Sequence, residues 1–179
     1  MADAYQIKNQ EGTYYLTFQV VGWADIFSRK CYRDIIIGSL DFCRKHKGLK
    51  LYAYVVMTNH VHVIVSSNKG DLSGTIRDFK KYTSKEFKMM NEINESRREW
   101  LEMIFQYHAK QNKRSGDRQL WTHENHAIEL TDNVMINGRI DYIHQNPVRA
   151  GWVAEAENYL YSSAMNFANL DHLLQIDEI

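Results

Sequence analysis

Residues 50–66, KLYAYVVMTNHVHVIVS, consist of two arms rich in β-branched and aromatic residues on either side of Thr58-Asn59. Such arms predict two strands joined by a tight turn. In the second arm His60 and His62 are two apart, so both project from one face of the strand, while Val61, Val63 and Val65 project from the other. The valines belong to a core and the histidines to whatever face that core leaves open. Two imidazoles a few ångströms apart are the geometry that places two ring nitrogens on one divalent cation. Two surface histidines on a half-solvated strand read the same way, so the assignment turns on what else faces them.

Outward from the hairpin, residues 13–21, TYYLTFQVV, alternate Tyr14, Leu16, Phe18 and Val20 with Thr13, Tyr15, Thr17 and Gln19, the period of a half-buried strand. Ser28 stands where an N-cap would, and Tyr32, Ile36, Leu40 and Cys43 follow at helical spacing until Gly48. Beyond the hairpin, Leu72, Ile76, Phe79, Thr83 and Met90 lie near one helical stripe, with Arg77, Lys80, Lys81, Lys85 and Lys88 elsewhere on the same helix. Residues 95–107 predict a helix whose apolar positions are Trp100, Ile104 and Tyr107, followed by a basic loop, AKQNKRSGDRQ, and a short strand at 126–130. Thr131 or Asp132 then caps a helix with the stripe Ile136, Ile140 and Ile143, which Pro147 ends at Asn146. The tail from Tyr159 predicts one more short helix with an acidic end. Strand, helix, strand, strand, helix, strand is the order of an α+β, ferredoxin-like (RRM-like) antiparallel sheet with helices on one face. The helix of 132–146 is additional, and one sheet face stays open.

The 179 residues hold 22 Lys and Arg against 22 Asp and Glu, a net charge of 0. With a pI near 7.1 there is no global basic field, and any nucleic-acid binding is local. A chain that is 44% hydrophobic and 25% charged is globular. Mean hydropathy is −0.51, and no apolar run approaches the roughly 18 residues of a membrane helix. MADAYQIKNQ lacks the apolar stretch of a secretory signal. Cys31 and Cys43 share one predicted helix, too far apart to bridge, which fits a reducing cytoplasm. One proline and 9 glycines predict a single domain over 1–179, with 155–179 as a C-terminal extension.

On the 132–146 helix, Tyr142 and Asn146 are i and i+4 on a face beside the isoleucine stripe, together with Met135 and Arg139. If that face lies over the open side of the sheet, the Tyr142 phenol reaches a phosphate held by a histidine-bound metal, and the Asn146 amide oxygen completes the coordination. A half-buried tyrosine and a helix-end asparagine fit the same spacing. Tyr82, on the basic helix, is the rival nucleophile.

The run YVVMTNHVHVIV (54–65) resembles the His-hydrophobic-His segment of single-tyrosine HUH transposases, and DYIHQNPVRAGWV (141–153) resembles the tyrosine segment of their REP-associated branch. LWTHENHAIEL (120–130) and YLYSSA (159–164) are similar to further segments of that family, so the resemblance spans most of the chain. It implies a ferredoxin-like fold, a homodimer, and cutting and rejoining of single-stranded DNA beside hairpins with Mg²⁺ or Mn²⁺. His60 and His62 then match the metal ligands and Tyr142 the nucleophile, which leaves a 5′-phosphotyrosine and a free 3′-hydroxyl. Asn146 falls where a third ligand is supplied; helical spacing favours it over Gln145, the second choice.

DNA holding falls to Arg77, Lys80, Lys81, Lys85 and Lys88 on the basic helix and to Lys110, Lys113, Arg114 and Arg118 in the loop. Tyr15, Tyr52 and Tyr54 are stacking platforms, or fill the sheet or a dimer interface. His126 stands near the site or bonds to backbone. Two other classes fit parts of the pattern. One is a hairpin-binding module that does not cut; the other is a structural zinc site, for which Cys31 and Cys43 on a core face are poor ligands.

Overall fold

The alternation around Leu16 and Phe18 does form a strand, β1 (Tyr14–Gln19), in the computed structural model, which describes residues 6–112 and 116–179. Short 3₁₀ turns at Val21–Trp23 and Ile26–Ser28 lead into α1 (Lys30–Phe42). The N-cap of α1 is Arg29, with no side-chain cap, rather than Ser28. Ser28 closes the preceding turn instead, and its hydroxyl accepts a hydrogen bond from Arg97. A π turn over Cys43–Lys47 stops at Gly48, whose φ of 75° suits glycine. The hairpin is β2 (Leu49–Val56) and β3 (His60–Ser67). Then come α2 (Leu72–Asn94), α3 (Arg98–Gln111), β4 (Ile128–Glu129), α4 (Asn133–Arg149) and α5 (Ala164–Phe167).

The sheet order is β2-β3-β1-β4 with every neighbouring pair antiparallel, which is the ferredoxin-like arrangement. Register follows from the pleat: Leu16 faces Val63 and Phe18 faces Val61, while Thr17 lies opposite His62 and Gln19 opposite His60. The valine side meets α1 and α2, where Phe18 packs on Phe79 at 5.2 Å and Tyr32 and Phe87 are buried together. That burial, at roughly 1.5–3 kcal/mol for each large apolar side chain, holds the two helices down.

The second face is not left open. α4 packs across β2 and β3, because its own stripe of Ile140, Ile143, His144 and Pro147 needs cover as much as the sheet does. Asp132 caps this helix by accepting from the Met135 amide at 2.8 Å. Pro147 does not end it. The helix runs on to Arg149 and closes on a Schellman turn, with Gly151 at φ 74° and amides of Gly151 and Trp152 donating to the carbonyls of Val148 and Pro147. In the last turn a missing N–H leaves only the Ile143 carbonyl without its helical donor, so proline is tolerated.

In α3 the buried stripe is Leu101, Phe105 and Ala109, shifted by one or two positions from the predicted Trp100, Ile104 and Tyr107; Trp100 and Tyr107 face outward. On α2, Leu72, Ile76, Phe79 and Thr83 are buried as expected, and the Met90 side chain lies outside the described residues. The tail straps the outer edge of β2: Val56 donates to Tyr161, Ser163 donates to Tyr54, and Leu51 and Asp177 exchange bonds at 2.7 and 2.9 Å. Among the described residues no helix is long and apolar enough to cross a membrane.

Candidate active site

β3 presents both histidines on the face that α4 crosses, and their rings lie 4.6 Å apart, edge to face. His60 Nδ1 is 2.6 Å from the Asn59 side-chain oxygen. His62 Nδ1 lies 2.8 Å from Tyr15 Oη and 2.9 Å from Thr17 Oγ1. In each ring Nδ1 is occupied and Nε2 has no partner among the described residues, the arrangement in which a proton on Nδ1 is donated to an oxygen and Nε2 serves as a ligand. Burial pushes both imidazoles well below their ordinary range, His60 to about 4 and His62 to about 3, with His60, Arg139 and Arg149 adding to the effect on His62. They are neutral at physiological pH, as ligation requires. The donor set therefore fits a divalent cation. Two histidines alone do not complete a shell, and among the described residues no group of three or more His, Cys, Asp or Glu does so. A third protein donor would have to be an oxygen of another kind, an amide, a hydroxyl or a backbone carbonyl.

α4 brings Tyr142 to this pair within a single chain. Its ring centroid is 5.6 Å from that of His62 and 6.2 Å from that of Tyr15, near-perpendicular to Tyr15, and 37% of the residue is exposed. Asn146, one turn on, donates from Nδ2 to the Tyr142 carbonyl at 2.8 Å, which leaves its amide oxygen as a donor to a cation. Gln145 is exposed. Tyr82 is exposed on α2 in the groove between α1 and α2, beside Phe79 and Cys43, on the other side of the sheet.

Two arginines that the sequence reading did not assign to chemistry complete the surround. Arg149 lies over the Tyr142 ring at 4.5 Å and donates to the Tyr142 carbonyl at 2.8 Å. Arg139 lies over Tyr15 at 4.8 Å and Tyr142 at 5.9 Å. The spacing of Arg139, Tyr142, Asn146 and Arg149 along one helix face was the available signal. Tyr15 is not a stacking platform; it is buried against His62, and burial raises its phenol to about 12. Tyr54 is fully buried, and Tyr52 bonds to Ser66 at 2.8 Å.

The cations are sorted by the fold. Arg77, Lys80, Lys81 and Arg118 line one cavity of about 940 Å³ between α2 and residues 118–125. Lys80 is a structural member of it: its ammonium donates to the Thr122 carbonyl at 2.9 Å and to Asn125 and sits over Phe18, and burial pulls its pKa down to about 8. Arg118 is paired with Glu102 at 3.0 Å and stacked on Phe105. Lys81, Lys85, Lys88 and Lys110 are exposed. Lys113 and Arg114 lie outside the described residues. His126 stands in a left-handed conformation just before β4. Cys31 and Cys43 are on α1 and its π turn, across the sheet from the histidines, and burial raises the Cys43 thiol to about 11.

The family model described as "Transposase IS200 like" matches residues 14–111, from β1 through the histidine pair to the end of α3. The solved structure of a REP-associated tyrosine transposase bound to a REP hairpin superposes with a TM-score of 0.61 at 19% identity, covering 99% of this chain and 93% of that one. A putative transposase from Deinococcus radiodurans R1 gives a TM-score of 0.42 at 17% identity, covering 74% of this chain and 90% of that one. No curated protein matches in sequence.

Proposed function

This chain belongs to the IS200-like transposase family, and from that premise we propose that it cuts and rejoins single-stranded DNA beside a hairpin, with Tyr142 as nucleophile. The observation that carries this reading is the placement of Tyr142, 5.6 Å from His62 ring to ring, on the face where the Nε2 atoms of His60 and His62 have no partner among the described residues. The resemblance to a hairpin-bound transposase supports the choice of substrate.

His60 and His62, with the Asn146 amide oxygen or Gln145 as the second choice, would hold Mg²⁺ or Mn²⁺. When bound, the cation supplies Lewis-acid polarisation of the scissile phosphate and a template for the strand. Tyr142 Oη attacks phosphorus in line; the new bond is phenol oxygen to phosphorus, and the bond that breaks joins phosphorus to the 3′ oxygen. The products are a 5′-phosphotyrosine and a 3′-hydroxyl, which keeps the proton balance when the phenol proton is exchanged for one on the leaving oxygen. Because the phosphodiester energy stays in the phosphotyrosine, rejoining is the same step run by a new 3′-hydroxyl and needs no nucleotide. Arg149 and Arg139 hold the ring from above and offset negative charge on the attacking oxygen and the phosphate. Tyr15 and Thr17 fix the His62 ring. A homodimer is part of the proposal, with each chain supplying its own tyrosine.

Incubation with labelled single-stranded hairpin oligonucleotides and Mn²⁺ should trap a covalent adduct with the wild type and with Tyr82→Phe, and none with Tyr142→Phe. An adduct in Tyr142→Phe sinks the nucleophile assignment. Hairpin binding by the wild type with no adduct under any divalent cation favours a module that binds without cutting.

A further inference from the structure

Trp23 has a φ of 54°, immediately after Gly22 at 63°. A bulky side chain in the left-handed region is strained, and Trp23 recovers little of this by burial, because 63% of it is exposed. Glycine would take the same backbone without cost, as Gly22 does. The turn is nonetheless tied down. Val20 N donates to Asn59 O at 2.9 Å, Phe27 N to Thr58 O at 2.8 Å and Asn59 Nδ2 to Trp23 O at 3.4 Å, which strap it to the β2–β3 turn. The indole is thereby held 6.5 Å from the His60 imidazole, edge to face, beside the metal-ligand pair and open to solvent.

A second observation extends the surface. α3 packs on this turn so closely that a β-carbon on Gly22 would stand 2.9 Å from Ile104 and 3.2 Å from His108. The His108 ring meets Tyr107 at 5.4 Å, and Tyr107 faces outward, with exposed Lys110 one turn further. Exposed aromatic rings thus flank the turn on two sides, Trp23 beside His60 and Tyr107 on the outer face of α3, where the exposed Lys110 offers a cation for phosphates.

We propose that Trp23 stacks a nucleobase of single-stranded DNA next to the scissile phosphate and that Tyr107 continues the track. The inference rests on the reading of His60, His62 and Tyr142 as a strand-cutting site. Stacking on an indole is indifferent to base identity, which suits the strand that flanks a hairpin.

The test is fluorescence anisotropy in EDTA, so that no chemistry occurs, with labelled dA16, dT16 and a hairpin oligonucleotide bearing single-stranded flanks. Trp23→Gly should weaken binding to the flanked hairpin about tenfold or more while leaving Tm unchanged or higher, because glycine relieves the left-handed backbone. Trp23→Phe should keep most of the affinity, and Tyr107→Ala should lose less than Trp23→Gly. Unchanged affinity in Trp23→Gly overturns the proposal, as does a lower Tm, which would assign the indole to packing. A wild type that binds none of the three strands also overturns it. A missing Tyr142 adduct with Mn²⁺, alongside weakened binding in Trp23→Gly, defeats the cutting mechanism and leaves the stacking site standing.

Discussion

His62 is held at Nδ1 by two hydroxyls from β1, Tyr15 at 2.8 Å and Thr17 at 2.9 Å. Those oxygens orient the ring and set its tautomer, so the Tyr15→Phe/Thr17→Val double variant should bind Mn²⁺ about 10- to 100-fold more weakly by calorimetry with the fold intact. Unchanged affinity would show that Nε2 of His62 is not a ligand. Arg149 is placed by a bond to the Tyr142 carbonyl and by stacking on the ring. Arg149→Met should slow adduct formation at saturating DNA by about tenfold or more, the scale of losing one charge-stabilising donor, and an unchanged rate would remove Arg149 from the chemistry. The alternation in residues 13–21 put Tyr15 and Thr17 on the histidines' side of the sheet, and their type suggested stacking or a polar surface. Their use as His62 partners depends on a pairing across 45 and 47 residues, which no local pattern expresses.

At the scale of elements, α4 carries both Tyr142, the proposed nucleophile, and its own anchorage. His144 is buried, with Nε2 2.9 Å from Ser163 Oγ and its ring 4.9 Å from Phe167. Burial pushes its pKa to about 4. Between pH 6.5 and 4 the unfolded chain takes up a proton that the folded chain refuses, so this stability is complete above about 6.5 and is lost as pH falls toward 4. His60 and His62 titrate with the same sign. Without metal, Tm should be flat above about pH 7 and fall steadily below 6.5. His144→Gln, which keeps a polar partner for Ser163, should reduce that slope by about a third, since it removes one of three such imidazoles; an unchanged slope would mean that His144 is not buried neutral. The stripes of α1, α2 and α4 were legible because apolar residues recur with the helix. The α3 stripe was misread because Trp100 and Tyr107 outweigh Leu101 and Ala109 in hydrophobic bulk, whereas the neighbouring turn decides which face is covered.

In the whole molecule, the last 25 residues of the chain edge the sheet. Asp177 accepts from the Leu51 amide and pairs with Arg44 at 3.1 Å and Lys50 at 3.2 Å. Burial alone would raise its carboxyl pKa, but these partners hold it below the usual carboxylate range. Asp177→Ala should cost about 2 kcal/mol in denaturant titration, the scale of a half-buried, charge-assisted cluster; a loss near zero would mark the strap as ornamental. Because Tyr142 and the histidines of one chain converge, a mixture of Tyr142→Phe with His62→Ala should yield no adduct. Recovery of adduct in the mixture would show that subunits exchange α4.

The sequence by itself determined the strand and helix order, the shared face of His60 and His62, and the shared face of Tyr142 and Asn146, because each is a consequence of period within one element. Only the tertiary structure decided that α4 closes over the histidine face, that Lys80 and Arg118 serve the fold, and that Trp23 stands exposed beside His60. Those facts depend on which distant surfaces need cover and which backbone turns they can strap in place. Burial is a property of the pair of surfaces that meet, and periodicity describes only one of them at a time.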